Sequence, residues 1–399
     1  MTPCKNIWLP FFKRLHRAPC CSALLILALA VVSCSSSNTP PQGASPTEAG
    51  TADATSPSSD AGTSDAGPGD SGPGDVISTD ESDAGIDVLP LGTATSTPLP
   101  TCPGDAYAGS TCMTVTVACG GIASDTATLA VTQPTGTPVG TVLLMAGGGG
   151  TKFFDTPENA ALLAANLRVV AIEWAADWPS AQPASALNAA CRAATLSQWI
   201  YDNVHGGAAA AQTAGFCGLG ISGGGAFFAY SMAHYGRKSI YDYLEILSGP
   251  SVSRFDYGCD PALYDGGPRY LCPDLPDASF AFTPPTNTQI DGMEGTHTCG
   301  ADAAAPGDIA KWTADSIVSP GADYDYPQTG MSFWFCAGTD LNESSGLGSF
   351  LVQQVRPLGQ APPVNCFKDC MGENVLGDPS GLSASEAAMI AGCVPNHRN

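Results

Sequence analysis

The stretch Gly218–Gly225, with the sequence GLGISGGG, limits what this chain can fold into more than any other part of it. It overlaps an apolar run, Gly215–Ile221, that is typical of a buried strand, and it leads into an alanine-rich run, Gly223–Tyr235, that is typical of a helix. The motif is G-x-S-x-G, in which glycines permit a tight strand-to-helix turn that exposes a serine hydroxyl. Glycine-serine strings also occur in ordinary loops, so the flanking elements decide the interpretation. Ser222 is the first candidate nucleophile.

Apolar strands and helical segments alternate on both sides of this motif. Strands are predicted at 113–118, 126–131, 141–146, 168–174, 215–221, 241–247, 331–336 and 364–367, and helices at 159–167, 186–202, 223–235 and 383–391. Such alternation predicts an α/β fold with a mostly parallel sheet covered by helices on both faces. Reactive groups then gather at the carboxyl ends of the strands.

The first hundred residues have the composition of a targeting segment and a tether. Basic residues precede the apolar run Ala23–Val32, which has the length of a signal-peptide core and is too short to span a bilayer. The run ends in Val31-Val32-Ser33-Cys34, which resembles the lipobox of bacterial lipoproteins and implies a signal peptide over residues 1–34 with Cys34 lipidated. A plain secretory signal is the alternative. Ser35 after the cysteine resembles lipoproteins sent to the outer membrane.

Residues 35–100 contain no lysine or arginine and are dominated by Ser, Thr, Pro, Gly, Ala and Asp. That composition buries too little apolar surface to offset chain entropy, so we expect a disordered acidic tether and a folded domain over residues 101–399.

The formal net charge of −22, with only 15 basic residues, argues against nucleic acid as a partner.

The cysteines indicate an oxidising compartment. Of the 16 cysteines, four lie in or beside the targeting segment, and the remaining even set begins at Cys102. No C-x2-C pair occurs, so disulfides are favoured over a zinc site, and we expect neither a metal nor a cofactor. Connectivity cannot be deduced from sequence alone. The bridges considered plausible are Cys191–Cys217, Cys259–Cys272, and Cys393 with either Cys366 or Cys370.

The order strand, glycine loop, strand, helix, strand, G-x-S-x-G and helix resembles the α/β-hydrolase fold from about Cys112 to the C-terminus. Four segments, Gly147–Gly150, Ala190–Arg192, Gly220–Gly224 and Leu247–Pro250, are similar to those of a poorly characterised group of exported bacterial hydrolase-like proteins. The resemblance implies a three-layer fold and a surface-anchored, monomeric serine hydrolase. Its substrate would be a small-molecule or polymer ester.

The resemblance also implies roles for single residues. Ser222 is the nucleophile, and the backbone N–H of Gly223 forms an oxyanion hole together with Gly148 and Gly149 of the glycine loop. Four successive glycines are also typical of a flexible turn. Asp340, which follows the strand at 331–336, is the acid that orients a histidine. Aspartate beside glycine is also common turn chemistry, and the alternative acids are Glu245 and Asp256.

The histidine does not come where the family has it, because the loop after the last strand contains none. His397 is the only histidine after Asp340 and keeps the family's chain order, although it lies next to the terminus. His297, in the insertion, is the second candidate. His205 precedes the strand that leads to the nucleophile, and His234 lies about 18 Å along the following helix, so both are set aside.

The third possibility is that no histidine serves as a base. Glu373 and Asn374 stand near the expected place, but a glutamate titrates near pH 4 and is a weak base at neutrality. The chain would then be a binding lipoprotein that keeps the hydrolase scaffold without turnover.

Two features concern the walls of a site. An interval at 249–329 breaks the alternation of strands and helices and holds three cysteines, which predicts a stapled, loop-rich insertion that acts as a lid or binding element. Trp174, Asp177 and Trp178 follow a strand end, so they are candidates for a pocket wall. Large aromatic residues are more often part of the core.

Overall fold

The computed structural model describes residues 88–154, 158–180, 185–264, 272, 281–282, 286–295, 299–300, 305–336, 343–368, 370 and 375–396. The chain divides into residues 1–77 and 78–399, and every described residue belongs to the second unit. The predicted signal peptide, the lipidation site Cys34 and most of the predicted tether lie outside the described residues. Within the described part, none of the helices has the length and apolar character needed to cross a bilayer.

The strands of the described part are β1 (Thr93–Pro98), β2 (Thr111–Ala118), β3 (Asp125–Thr132), β4 (Gly140–Met145), β5 (Leu167–Trp174), β6 (Gly215–Ile221), β7 (Tyr243–Leu247), β8 (Asp325–Tyr326), β9 (Gly330–Cys336), β10 (Arg356–Pro357) and β11 (Val364–Phe367). The helices are α1 (Glu158–Ala164), α2 (Ala186–Ile200), α3 (Gly207–Ala211), α4 (Gly223–Tyr235), α5 (Phe255–Cys259), α6 (Thr286–Glu294), α7 (Pro306–Asp315), α8 (Glu343–Gln354) and α9 (Pro379–Gly392). The bounds of β6, α4 and β11 are those predicted from the sequence.

Nine of these strands form one sheet in the order β1-β2-β3-β5-β4-β6-β7-β9-β11. The pairs from β1 to β5 are antiparallel, and every pair from β5 to β11 is parallel. Short β8 and β10 pair separately. Because β4, β6, β7 and β9 are parallel neighbours, the loops after their last residues leave from one edge of the sheet.

Helices cover both faces of the sheet. In β4, Leu143 and Met145 belong to the core under α2 and α4, whereas Val142 and Leu144 belong to the core shared with α9. This alternation follows from the period of two in a strand, and it explains why a strand buried on both faces is continuously apolar. The three-layer, α/β-hydrolase-like architecture predicted from the sequence is confirmed.

The folded domain begins earlier than residue 101. Strand β1 lies inside the stretch assigned to the tether, yet it pairs along its full length with β2. Leu89 and Leu91 pack against the core, and the N–H of Gly92 donates to Thr195 Oγ1 at 2.8 Å. An edge strand is held by main-chain hydrogen bonds, which the polar composition of this stretch does not reveal.

All twelve cysteines from Cys102 onward form six disulfides, which fits an oxidising, exported compartment. The predicted pairings are wrong. Cys191 lies in the core on the α2 side and Cys217 in the core on the α9 side, so the sheet separates them. The bridges are Cys102–Cys112, Cys119–Cys191, Cys217–Cys393, Cys259–Cys299, Cys272–Cys366 and Cys336–Cys370.

Candidate active site

Ser222 stands on the turn between β6 and α4 with a strained backbone. Its φ of 51° and ψ of −113° lie in a region that non-glycine residues rarely adopt. The turn is fixed on both sides, because the N–H of Ser222 donates to the carbonyl of Leu247 at 2.8 Å and its carbonyl accepts from Ala226 at 3.1 Å. Strain of this kind costs about 1–3 kcal/mol and persists where the surrounding structure enforces it.

The glycines after Ser222 let this turn approach the end of β4. A Cβ on Gly224 would lie 2.1 Å from the carbonyl oxygen of Met145, and a Cβ on Gly223 would lie 2.0 Å from the carbonyl oxygen of Gly148. Real Cβ atoms essentially never come within 3.0 Å of another heavy atom. Glycine is therefore required at both positions, and its absence would push the elbow away from the glycine loop.

The glycine loop, residues 147–150, is held in place. Gly148 and Gly150 have positive φ of 61° and 70°. The carbonyl of Gly150 accepts from the N–H of Trp174 at 2.8 Å, and the carbonyl of Gly149 accepts from the N–H of Trp178 at 3.1 Å. These bonds tie the loop to the end of β5, so it is an ordered turn whose position relative to Ser222 is set by the sheet.

A cavity of about 560 Å³ opens over the elbow, which is within the range of about 300–1,000 Å³ of small-molecule sites. Ser222, Gly223, Gly148 and Gly149 all line it, so the structure brings the predicted nucleophile and oxyanion residues together. The rest of the described lining consists of Asp177, Trp178, Pro179, Ser180, Ala226, Tyr230, Ser251, Val252, Thr286, Gln289, Ile290, Gly292 and Met293.

Residues of the insertion supply one wall of this cavity. Helix α6 contributes Ile290 and Met293 among others, and its last residue, Glu294, is only 2% exposed. Glu294 Oε1 accepts from the N–H of Ala186 at 3.0 Å, and Oε2 accepts from Lys311 Nζ at 2.7 Å. These contacts join α6 to the start of α2 and to α7. Desolvation, followed by the nearby carboxylate of Asp315, raises the pKa of Glu294 to about 7.

The opposite wall follows β5. Asp177 and Trp178 line the cavity, and both Trp174 and Trp178 are buried in the core. Trp178 is therefore a core residue and a wall residue, whereas Trp174 belongs to the core alone. Trp178 also packs edge-on against Tyr230 of α4, with ring centroids 6.5 Å apart. Buried Arg192 donates to the carbonyls of Trp178 at 3.0 Å and Ser180 at 2.7 Å, which fixes this turn.

The two histidines of the described residues have structural roles. His205 is buried and bonds Thr141 Oγ1 through Nδ1, and burial lowers its pKa to about 4. His234 Nε2 donates to the carbonyl of Ile317 at 3.1 Å, and burial lowers its pKa as well. Both side chains are held by partners distinct from Ser222, as the sequence argument expects.

The alternative acids are also occupied elsewhere. Glu245 is fully buried in the middle of β7, where its Oε2 accepts from Ser385 of α9 at 2.6 Å. Asp256 accepts from Arg254 Nε at 2.8 Å and from Thr313 Oγ1 at 3.2 Å. Neither carboxylate lines the cavity.

The remaining predicted residues, Asp340, His397, His297, Glu373 and Asn374, lie outside the described residues. The segments 337–342 and 371–374 are nevertheless flanked by Cys336 and Cys370, which are joined by a disulfide. The bridge therefore holds the end of β9 close to the residues that follow β11.

Sequence reasoning missed Tyr230, which lines the cavity, and Glu294, which joins the wall helix α6 to α2 and α7. Tyr230 has a detectable signal, since Gly223, Ala226 and Tyr230 are spaced three and four residues apart and so share one face of α4. Its hydroxyl donates to the carbonyl of Asp315 at 2.7 Å, and burial raises its pKa well above the usual value. Glu294 gave no signal, because its partners come from α2 and α7.

No protein-family model and no curated protein matches the chain. Among solved structures, it is similar to acetyl xylan esterase 1 from Thermoanaerobacterium sp., at 10% identity and a TM-score of 0.46, over 75% of this chain and 88% of that chain. It is also similar to a thermophilic carboxylesterase from a metagenomic library, at 14% identity and a TM-score of 0.44, over 78% and 92%. A lipase in its open form matches at 13% identity and a TM-score of 0.40, over 69% and 96%. These likenesses do not assign a reaction to this chain, so its chemistry is inferred from the residues of its own cavity.

Proposed function

We propose that this protein is a serine hydrolase that cleaves a carboxylic ester, with Ser222 as the nucleophile. The observation that carries the proposal is the strained backbone of Ser222 at the floor of a cavity, facing an ordered glycine loop. A strained serine between a strand and a helix is the conformation expected of a nucleophile elbow, and the neighbouring glycine N–H groups suit an oxyanion hole.

In the proposed reaction, Ser222 Oγ attacks the ester carbonyl carbon while a histidine takes the hydroxyl proton. The carbonyl oxygen gains the negative charge and is stabilised by the N–H groups of Gly223 and of the glycine loop, at the positive end of α4. The intermediate collapses, the C–O bond breaks, and the alcohol leaves with the proton from the histidine. Water then hydrolyses the acyl-enzyme by the same two steps.

Neither described histidine suits the role of base, so the proposal assigns it to His397 or His297. Asp340 remains the proposed acid, because it comes four residues after the end of β9 in the sequence. We further propose that the domain is lipid-anchored through Cys34 to the outer membrane, which is compatible with the six disulfides of an exported domain.

A fluorophosphonate probe tests the proposal on the oxidised protein. The probe is expected to label wild type at Ser222 and to leave Ser222→Ala unlabelled. Ser251→Ala removes a different hydroxyl from the same cavity and is expected to keep the label. His397→Asn and His297→Asn then separate the two bases, since only the true base lowers both labelling and p-nitrophenyl ester turnover by orders of magnitude.

The competing function is a binding lipoprotein without turnover. It predicts no labelling of the folded wild type, ester hydrolysis at the background rate, and ligand binding that Ser222→Ala leaves unchanged. That combination of results would replace the enzyme proposal.

A further inference from the structure

Among the residues that line the cavity in the described part of the chain, Asp177 is the single one of an acidic or basic type. No lysine or arginine is part of that lining. Among the ion pairs of the described residues, none includes Asp177, and its side chain is exposed at the cavity wall. A carboxylate in this position gives the cavity a negative electrostatic character.

The carboxylate lies directly against the glycine loop. A Cβ on Gly149 would be 2.2 Å from Asp177 Oδ1 and 2.5 Å from its Cβ, so glycine at 149 makes room for this side chain. The loop is the one proposed to stabilise the oxyanion. A negative charge beside it opposes the negative charge that develops on the substrate oxygen, unless the substrate brings a compensating charge.

The turn that carries Asp177 is held by hydrogen bonds on each side. The N–H of Ser180 donates to the carbonyl of Asp177 at 2.9 Å, and the N–H of Trp178 donates to the carbonyl of Gly149. Arg192, which is only 4% exposed, donates hydrogen bonds to the carbonyls of Trp178 and Ser180. Asp177 is thus presented on a rigid turn, and a binding group on rigid structure loses little entropy when a ligand arrives.

We infer that Asp177 is a specificity-determining residue that selects esters carrying a positively charged group. This inference rests on the proposed function, since it concerns the substrate of the same cavity. The formal net charge of −22 acts in the same direction, because it raises the local concentration of cationic solutes near the protein.

Two matched ester pairs test the inference. Acetylcholine and 3,3-dimethylbutyl acetate differ only by the charge on the alcohol side, and p-nitrophenyl 4-(trimethylammonio)butanoate and p-nitrophenyl 5,5-dimethylhexanoate differ only by the charge on the acyl side. Wild type is expected to prefer the cationic member of at least one pair about fivefold in kcat/KM, mostly through a lower KM. This factor is at the upper end of what an exposed ion pair contributes to binding. Asp177→Asn is expected to abolish that preference.

Asp202→Asn is the control, since it removes the same charge from an exposed residue outside the cavity lining. It is expected to keep the preference, which separates a local effect of Asp177 from the net charge of the protein. Hydrolysis of all four esters with no charge preference in either pair, or a preference that survives in Asp177→Asn, overturns the inference and leaves the proposed function intact. If none of the four esters is hydrolysed and fluorophosphonate does not label Ser222, the proposed function fails and the inference fails with it. If none is hydrolysed but Ser222 is labelled, only the inference is overturned.

Discussion

Gly223→Ala is expected to separate the elbow from the glycine loop while leaving most of the fold in place. The added Cβ would lie 2.0 Å from the carbonyl oxygen of Gly148, against a minimum of 3.0 Å for real Cβ contacts, so one side must move by about 1 Å. The loop is anchored to Trp174 and Trp178 by backbone hydrogen bonds and cannot yield freely. Overpacking of this kind costs about 1–3 kcal/mol of stability.

The effect on chemistry is expected to exceed the effect on stability. A misplacement of about 1 Å costs about 100-fold in rate, and the loss of one oxyanion donor costs about 100- to 1,000-fold in kcat. The rate of fluorophosphonate labelling and the turnover of p-nitrophenyl acetate measure the effect on chemistry. Thermal unfolding measures the effect on stability. Gly225→Ala is the matched control, because its Cβ would come too close to the side-chain methyl Cγ2 of Ile246, at 2.9 Å, but would lie at an ordinary contact distance of 3.5 Å from the nearest backbone atom, the carbonyl oxygen of Gly220. If Gly223→Ala labels and turns over within threefold of Gly225→Ala, the assignment of the oxyanion site is refuted.

Two further predictions concern stability and anchoring. The pKa of Glu294 is raised to about 7, so the folded state binds more protons than the unfolded state between about pH 4.5 and 7, and stability contributed by this group falls as pH rises through that window. Glu294→Gln is expected to remove the contribution of Glu294 to this pH dependence, about 1.4 kcal/mol of unfolding free energy for each unit by which its pKa is raised. Denaturant unfolding at several pH values measures that contribution. An unchanged slope of unfolding free energy against pH would refute the raised pKa of Glu294. Mass spectrometry of the mature N-terminus is expected to find a lipidated Cys34, and Cys34→Ala is expected to release the domain from the membrane fraction; an unmodified N-terminus at another residue would exclude the anchor.

The sequence sufficed for the central sheet and the elbow because their signals are local. The apolar run of β6 and the helical run of α4 meet at Ser222, and both elements begin and end where the pattern predicts. β1 was missed for the opposite reason, since its stability comes from pairing with β2 and its composition matches that of a linker. Cores and turns leave a periodic trace in a sequence, whereas an edge strand of threonines does not.

The walls of the cavity and the disulfides depend on contacts between distant segments. Cys217 and Cys393 are separated by 176 positions and are joined because α9 returns to the face of β6 that Cys217 occupies. Glu294 likewise meets Lys311 and Ala186 only after the insertion has folded over α2. Neither relation has a period or a motif, so three-dimensional packing alone determines it.

The Cys217–Cys393 bridge makes a covalent ring of the part of the chain that carries the proposed chemistry. Ser222 and the insertion both fall between these two cysteines. A single cut by a protease anywhere in that span breaks one peptide bond but releases no fragment, because the two pieces stay joined through sulfur. In an exported domain, which cannot be replaced by new synthesis where it meets proteases, this topology lets a cleaved molecule keep Ser222, the glycine loop and the cavity wall covalently joined.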